Sequence, residues 1–390
     1  MSAWVLPDHI ADVLPLEARL IEDLRCELLD TARSYGYELV IPPLVEHIES
    51  LLTGSGEDLD LQTFKLIDQL SGRMLGIRAD TTQQTARIDA HLLNRQGVSR
   101  LCYCGPVLHT RPQQAGSSRE PLQFGAELYG CNHLAADTEI VLLALDILQA
   151  TGITHQQPLV LDLADARIVP ALLEQAPDCA VNVHHLQQAL ITKNAEALSA
   201  ASRTLPAAVQ AALQALPSLY GSSNVLEQAR HTLPALPAIT QALDELGALS
   251  AQVHEVCPDV RIQFDLADSL GYSYYSGMRF AIYVQSSCSA LVRGGRYDEV
   301  GAAFGRTRPA VGFGLDVKAL AAHTAPRPLR AAIRAPWHPS AAWQQAVHAL
   351  RQSGQTVLVT LPGQEHVPDA FLCDRTLVEN NGQWLLQKTA

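Results

Sequence analysis

CGPVLHTRPQQAGSSREPLQFGAELYG, residues 104–130, is the stretch that decides how the rest of the chain is read. Residues 104–111 alternate enough to form a strand, 112–118 are rich in turn formers, and 122–130 return as a second strand. The pattern predicts an antiparallel pair joined by a loop. Gln123 and Glu127 are four residues apart, so on a strand their side chains share one face. A carboxylate and an amide turned to one cavity suit a cationic or amino-bearing small ligand.

Around this stretch the chain runs to 390 residues, 47% of them hydrophobic, enough for a large core and two or three domains. No run approaches the ~18 consecutive apolar residues of a membrane span, and residues 1–10 do not read as a signal peptide. A cytoplasmic protein with no membrane partner is the expectation. The 8 cysteines lack metal-ligand spacing; Cys102 and Cys104 form a CxC with no partner cluster, so reduced thiols, no metal and no other cofactor are expected. A formal net charge of −12, from 40 acidic and 28 basic residues with no basic run, weighs against a large nucleic-acid footprint.

Before the central stretch, apolar residues at 16, 20, 24, 28 and 32 mark a helix, 37–41 a short strand stopped by Pro42-Pro43, and 64–68 with 74–78 a hairpin about Ser71-Gly72. Arg78-Ala79-Asp80-Thr81-Thr82 follows, leading a helical stretch to about residue 93. Asp80 or Thr81 is by itself a helix cap as readily as a ligand contact. After it come a helix at 136–150, a strand at 159–163 and an Ala-, Leu- and Gln-rich helical insertion at 164–255, broken at Pro206, Pro217, Pro234 and Pro237. His184 and His185 in that insertion read as solvent-facing.

Strands resume near residue 260. Residues 270–275, LGYSYY, place Tyr274 and Tyr275 on a strand; residues 291–298, LVRGGRYD, hold a Gly294-Gly295 pair that permits a tight turn or close approach of backbone to a ligand. Residues 310–316, AVGFGLD, form one more strand, and 324–328 a linker. Residues 329–390 read as a small α/β segment with a strand at 331–334, a helix near 340–353, a strand at 355–360 and a hairpin about Asn380-Asn381-Gly382.

GPVLHTRPQ and SREPLQFGAELYG closely resemble the second signature motif of class II aminoacyl-tRNA synthetases in its histidyl form. Residues 36–44 are similar to the first motif, which builds that family's dimer interface, and 310–316 to the third. LGYSYY resembles the RGLDYY signature, and GGRYD is nearly diagnostic of histidyl-type chains. The resemblance implies an α+β fold, an antiparallel sheet of the class II synthetase kind flanked by helices, with the core at 1–163 and 256–323, the helical insertion at 164–255 and the small C-terminal segment at 329–390. It also implies roles: Asp80, Thr82 and Gln123 toward an α-amino group, Glu127 and Tyr275, beside Tyr274, toward an imidazole, and Gly294, Gly295, Arg296 and Tyr297 as a loop near the ligand.

The chain departs from the synthetases where they bind ATP. Their motifs carry arginines that grip phosphate or assist adenylate formation; this chain offers His109, Leu270 and Val317, and neither Arg111 nor Lys318 is in register. Charge building on the α-phosphate is stabilised by such fixed guanidinium groups, so the amino-acid side of the site is kept and the phosphate side is lost. That combination best resembles the synthetase-like regulatory subunits of ATP phosphoribosyltransferase. It implies a non-catalytic chain that pairs with a short-form catalytic subunit, activates it in the first step of histidine biosynthesis, contributes to feedback by histidine, self-associates as a dimer and binds no tRNA. An active histidyl-tRNA synthetase, a paralogue joining an amino acid to another acceptor, and a regulator of some other protein remain as alternatives. Residues 329–390 are shorter than an anticodon-binding module and fit either its remnant or a docking module.

Overall fold

The molecule, a computed structural model, is described over residues 4–54, 57–113, 116–155, 157–269, 274–285, 287–363 and 371–389. In chain order its first strands are β1 (Glu38–Leu39), β2 (Val45–His47), β3 (Phe64–Ile67), β4 (Met74–Ile77), β5 (Ser99–Pro106), β6 (Leu122–Tyr129), β7 (Leu159–Asp165) and β8 (Tyr220–Gly221). There follow β9 (Arg261–Asp265), β10 (Met278–Val284), β11 (Val292–Arg296), β12 (Ala310–Asp316), β13 (Arg330–Pro336), β14 (Val357–Thr360), β15 (Phe371–Asn380) and β16 (Gln383–Lys388).

The main sheet has 9 strands in the order β1-β5-β6-β12-β11-β10-β7-β9-β8. Its pairs are antiparallel except β1 with β5 and β7 with β9. This is the antiparallel class II synthetase-like architecture that the motifs imply. β6 and β12 differ by face: Phe124, Ala126, Phe313 and Leu315 are apolar on one, and Gln123, Gly125, Glu127, Gly312 and Gly314 are polar or glycine on the other. One face carries Phe124, Phe280 and Phe313 and lies under the helix Leu134–Ala150, which buries Ile140, Leu143 and Ile147 completely. Each such side chain contributes roughly 1.5–3 kcal/mol by leaving water. The other face is the floor of a cavity.

Contacts divide the chain into two compact units, one of Met1–Ala11 with Asp23–Ala325, the other of Asp12–Glu22 with Pro326–Ala390. The first contains the main sheet, the expected hairpin as β3–β4 within a 3-stranded sheet, and the helical region. In that region Asn182 and Asn194 cap helices by accepting from His185 N and Ala197 N at 3.1 and 3.0 Å, and Pro206 and Pro237 stand at helix starts where a missing N–H costs nothing. The second unit holds a 4-stranded sheet, β14-β13-β15-β16, with the helix Ala341–Gln352 burying Trp343 and Val347 against Ile333 and Val357. Asn381 and Gly382 turn its hairpin with φ of 52° and 78°, the conformation that dipeptide is selected for.

Three expectations need correction. The strand expected at 104–111 is β5, which begins at Ser99 and ends at Pro106; only an isolated bridge from His109 to Thr63 continues beyond it. Tyr274 and Tyr275 are not on a strand: they sit in the turn and coil that precede β10. Gly294, Gly295 and Arg296 form no loop or turn. They lie inside β11, paired on both sides with β10 and β12. Residues 270–273, including Leu270 and Ser273, lie outside the described residues.

Candidate functional site

Strand register explains why the cavity floor has the composition it does. Paired residues share a face, so one row across the sheet reads Leu101, Glu127, Gly312, Gly295, Arg279. The next reads Tyr103, Gly125, Gly314, Arg293, Ala281, Asp162. Glycines thus sit beside the large polar groups. The Tyr103 ring lies across Gly125 and the Glu127 carboxylate across Gly312, and a Cβ at either glycine would collide with them.

Over this floor lies a cavity of about 500 Å³, lined by Asp80, Thr82, Gln123, Glu127, Tyr274 and Tyr275 together with His109, Gly294 and Tyr297. The residues expected to meet an amino acid are therefore gathered at one place. Gly295 and Arg296 are not among its lining. Gly294 contributes backbone only; its absent side chain faces the opposite, packed side, where Phe280 Cε1 and Phe313 Cβ would lie 2.6 Å from a Cβ. Arg296 points to that same side, where its Nε and Nη2 donate to Asp137 at 3.1 and 2.7 Å and Nη1 donates to the Cys131 carbonyl at 3.1 Å.

Hydrogen bonds link the polar lining into one chain. Asp80 Oδ1 accepts from Thr82 N at 2.8 Å, Thr82 Oγ1 at 2.9 Å and Gln123 Nε2 at 3.0 Å. Gln123 Oε1 accepts from Thr81 N at 3.0 Å, so its amide is oriented and in turn orients Asp80. Thr82 Oγ1 lies 3.2 Å from the Tyr103 hydroxyl, which donates to Glu127 Oε1 at 3.1 Å. Tyr297 donates to Glu127 Oε2. Asp80 does bond the first N–H of the helix Thr82–Arg87, as a cap would, but only through Oδ1. Its other oxygen has no hydrogen-bond partner among the described residues, and Asp80 lines the cavity.

Glu127 is 1% exposed, and burial pushes its carboxyl up to about 8; the charge of Asp80 adds to this, and the tyrosine hydrogen bonds offset only part. Tyr103 and Tyr297 are held well above the ordinary phenol range by burial, then by the nearby Glu127 charge, and so act as donors. Tyr274 stacks on Tyr297 with centroids 5.0 Å apart and meets Tyr275 edge-on at 5.1 Å. Aromatic walls beside a buried acid form a slot suited to a flat, nitrogen-bearing ring.

Tyr103, Arg279 and Arg293 line or support this site and were not singled out from the sequence. For Tyr103 a signal existed: Gly125 stands between Gln123 and Glu127 on their face, and the vacancy must be filled from a neighbouring strand. Where synthetases carry arginine, His109 is 3% exposed with Nε2 2.9 Å from the Ala79 carbonyl, and Val317 is fully buried in the turn capped by Asp316. Lys318 donates to the Glu120 carbonyl at 2.7 Å, and Arg111 does not line the cavity.

The family model for histidyl-tRNA synthetase matches residues 9–320, and that for the ATP phosphoribosyltransferase subunit HisZ C-terminal domain matches residues 330–387. The ATP phosphoribosyltransferase regulatory subunit of Variovorax paradoxus is 60% identical over 98% of this chain and 99% of its own length. That of Burkholderia pseudomallei is 53% identical over 99% of this chain and 100% of its own. Among solved structures, one titled ATP phosphoribosyltransferase regulatory subunit/histidyl-tRNA synthetase from Bacillus halodurans superposes with a TM-score of 0.79 at 26% identity, covering 94% of this chain and 96% of that one. Histidyl-tRNA synthetase from Nostoc sp. PCC 7120 superposes with 0.74 at 19% identity, over 93% and 86% of the two chains, a likeness of fold.

Proposed function

The chain belongs to the family of ATP phosphoribosyltransferase regulatory subunits, and from that premise we propose that it activates a short-form catalytic partner and binds histidine as the feedback effector. The cavity supports the second half of this reading. Asp80 offers a free oxygen to an ammonium group, Glu127 an acid at the bottom of an aromatic slot, and Tyr275 a wall, while arginines that would steady a nucleotide's phosphates are replaced at His109 and Val317. Residues 329–390, which belong to the second compact unit and contain the family-specific match at 330–387, suit a docking role, and a dimer built on the region of residues 36–44 is part of the same reading. No tRNA is bound.

The observation that carries the proposal is the unbroken hydrogen-bonded line from Gln123 through Asp80, Thr82 and Tyr103 to Glu127, which ties an ammonium receptor beside a helix start to an imidazole receptor on the main sheet. Histidine bound there acts by favouring one of two arrangements of the complex. Phosphoribosyl-ATP formation by the catalytic subunit, measured with and without this chain and across a histidine titration, tests both halves. Stimulation that histidine reverses is the expected outcome, with Glu127→Gln weakening the reversal. Failure to stimulate overturns the activating role, and histidine affinity unchanged in Glu127→Gln removes Glu127 as the imidazole contact.

A further inference from the structure

The cavity receives two guanidinium groups from the floor, and they are not equivalent. Arg279 has its anion: Nη2 meets Asp268 Oδ2 at 2.9 Å, Nη1 donates to the Asp268 carbonyl at 2.6 Å, and the group lies 5.1 Å over the Tyr275 ring, with Nε alone left without a partner among the described residues. Arg293, half-buried on β11, donates only to the Tyr283 hydroxyl at 3.5 Å, and no carboxylate among the described residues lies within ion-pair distance of it. A partly buried arginine without an anion is costly to keep, because the charge loses water without gaining a partner. Asp162 stands in the same row beyond Ala281, but burial pushes its carboxyl up to about 7, so it carries only part of a charge near neutral pH.

The position of Arg293 relative to the ammonium receptor is set by register. Gln123 Nε2, which holds Asp80, would lie 3.6 Å from a Cβ at Gly314, and Gly314 pairs directly with Arg293. Arg293 and Gly314 are therefore neighbours across one strand spacing, about 4.8 Å, and the Gln123 amide that holds Asp80 lies over Gly314. In an amino acid the ammonium and the carboxylate are joined through a single carbon by bonds of about 1.5 Å each. A ligand whose nitrogen sits at Asp80 can set its carboxylate over Gly314, which has no side chain to keep the Arg293 guanidinium from it.

We infer that Arg293 is the carboxylate receptor of this cavity and makes it selective for an amino acid with a free α-carboxylate. Arg293 takes up on β11 the task of neutralising the acid end of the ligand, with Gly314 as the gap through which it does so. The inference rests on the proposed histidine site and extends it to a residue and a specificity. An arginine pairs bidentately with a carboxylate as lysine does not, so the geometry favours the guanidinium over any point charge.

The test is calorimetry on the full-length chain with its catalytic partner, using L-histidine, histamine, which lacks the carboxylate, and L-histidinol, in which an alcohol replaces it. Wild type is expected to bind histidine at least ~10-fold more tightly than histamine or histidinol. Arg293→Gln is expected to weaken histidine roughly 10- to 100-fold while leaving histamine unchanged, and Arg293→Lys to restore part of the difference. Equal weakening of histidine and histamine in Arg293→Gln, or no weakening, overturns the carboxylate role while leaving the histidine site standing. Wild type binding none of the three overturns the histidine reading and this inference with it.

Discussion

The Glu127 carboxylate lies directly over Gly312, its register partner across β6 and β12, and leaves no room there for a side chain. Gly312→Ala therefore forces either the carboxylate or the strand to move. Overpacking of this kind costs about 1–3 kcal/mol, and the displaced acid no longer meets the Tyr103 and Tyr297 hydroxyls together. The expected result is a lower denaturation midpoint and histidine affinity reduced by at least ~10-fold. Calorimetry on a variant shown by circular dichroism to be folded separates the two effects.

Burial of Glu127 makes stability depend on pH. Its carboxyl is raised from the ordinary 4.5 to about 8 by desolvation, so between those values the folded chain holds a proton that the unfolded chain has released. The folded state is then the one that binds more protons, and stability falls as pH rises through this window, by up to about 1.4 kcal/mol per pH unit. Above about 8 the contribution stops changing. Denaturant midpoints measured near pH 5 and near pH 8 are expected to differ more in wild type than in Glu127→Gln, where this source of proton linkage is gone.

The nucleotide side of the cavity supports an equally definite expectation. Each preorganised donor to a developing phosphate charge is typically worth about two to three orders of magnitude in rate, and His109 and Val317 supply none in place of the arginines. The losses do not simply add. ATP–pyrophosphate exchange driven by histidine is expected at the level of a no-enzyme control, and exchange comparable to an active synthetase would contradict the regulatory reading.

How legible the site was follows from which signals are local. Gln123 with Glu127, and Asp80 with Thr82, are placed by spacing along one strand or one helix start, and the structure brings them together. Tyr103 and Arg293 enter by pairing between strands distant in sequence, and single-strand periodicity carries no register. The GGRYD stretch was legible in part: Gly294 brings backbone to the cavity and Tyr297 lines it, but a strand alternates faces, and the Arg296 side chain falls on the side packed under a helix. β5 begins five residues earlier than the alternation at 104–111 implied, because pairing with β6 back to Ser99 outweighs local pattern.

That packed side supports the last prediction. Arg296 and Asp137 meet through two hydrogen bonds, at 3.1 and 2.7 Å, with side chains 10% and 5% exposed, and so tie β11 to the helix Leu134–Ala150. Removing Asp137 leaves the buried Arg296 only the partly exposed Asp298, at 3.3 Å, as counter-ion, and costs up to about 3 kcal/mol, the low end for a broken buried pair, whereas replacing both members with apolar groups of similar volume is often neutral. Asp137→Ala is therefore expected to lower stability by that amount, and Asp137→Leu combined with Arg296→Met to recover most of it. Histidine affinity of both variants, measured where they remain folded, should stay within about twofold of wild type, since Arg296 faces away from the cavity. A large loss of affinity in the stable double variant would instead return Arg296 to the ligand site.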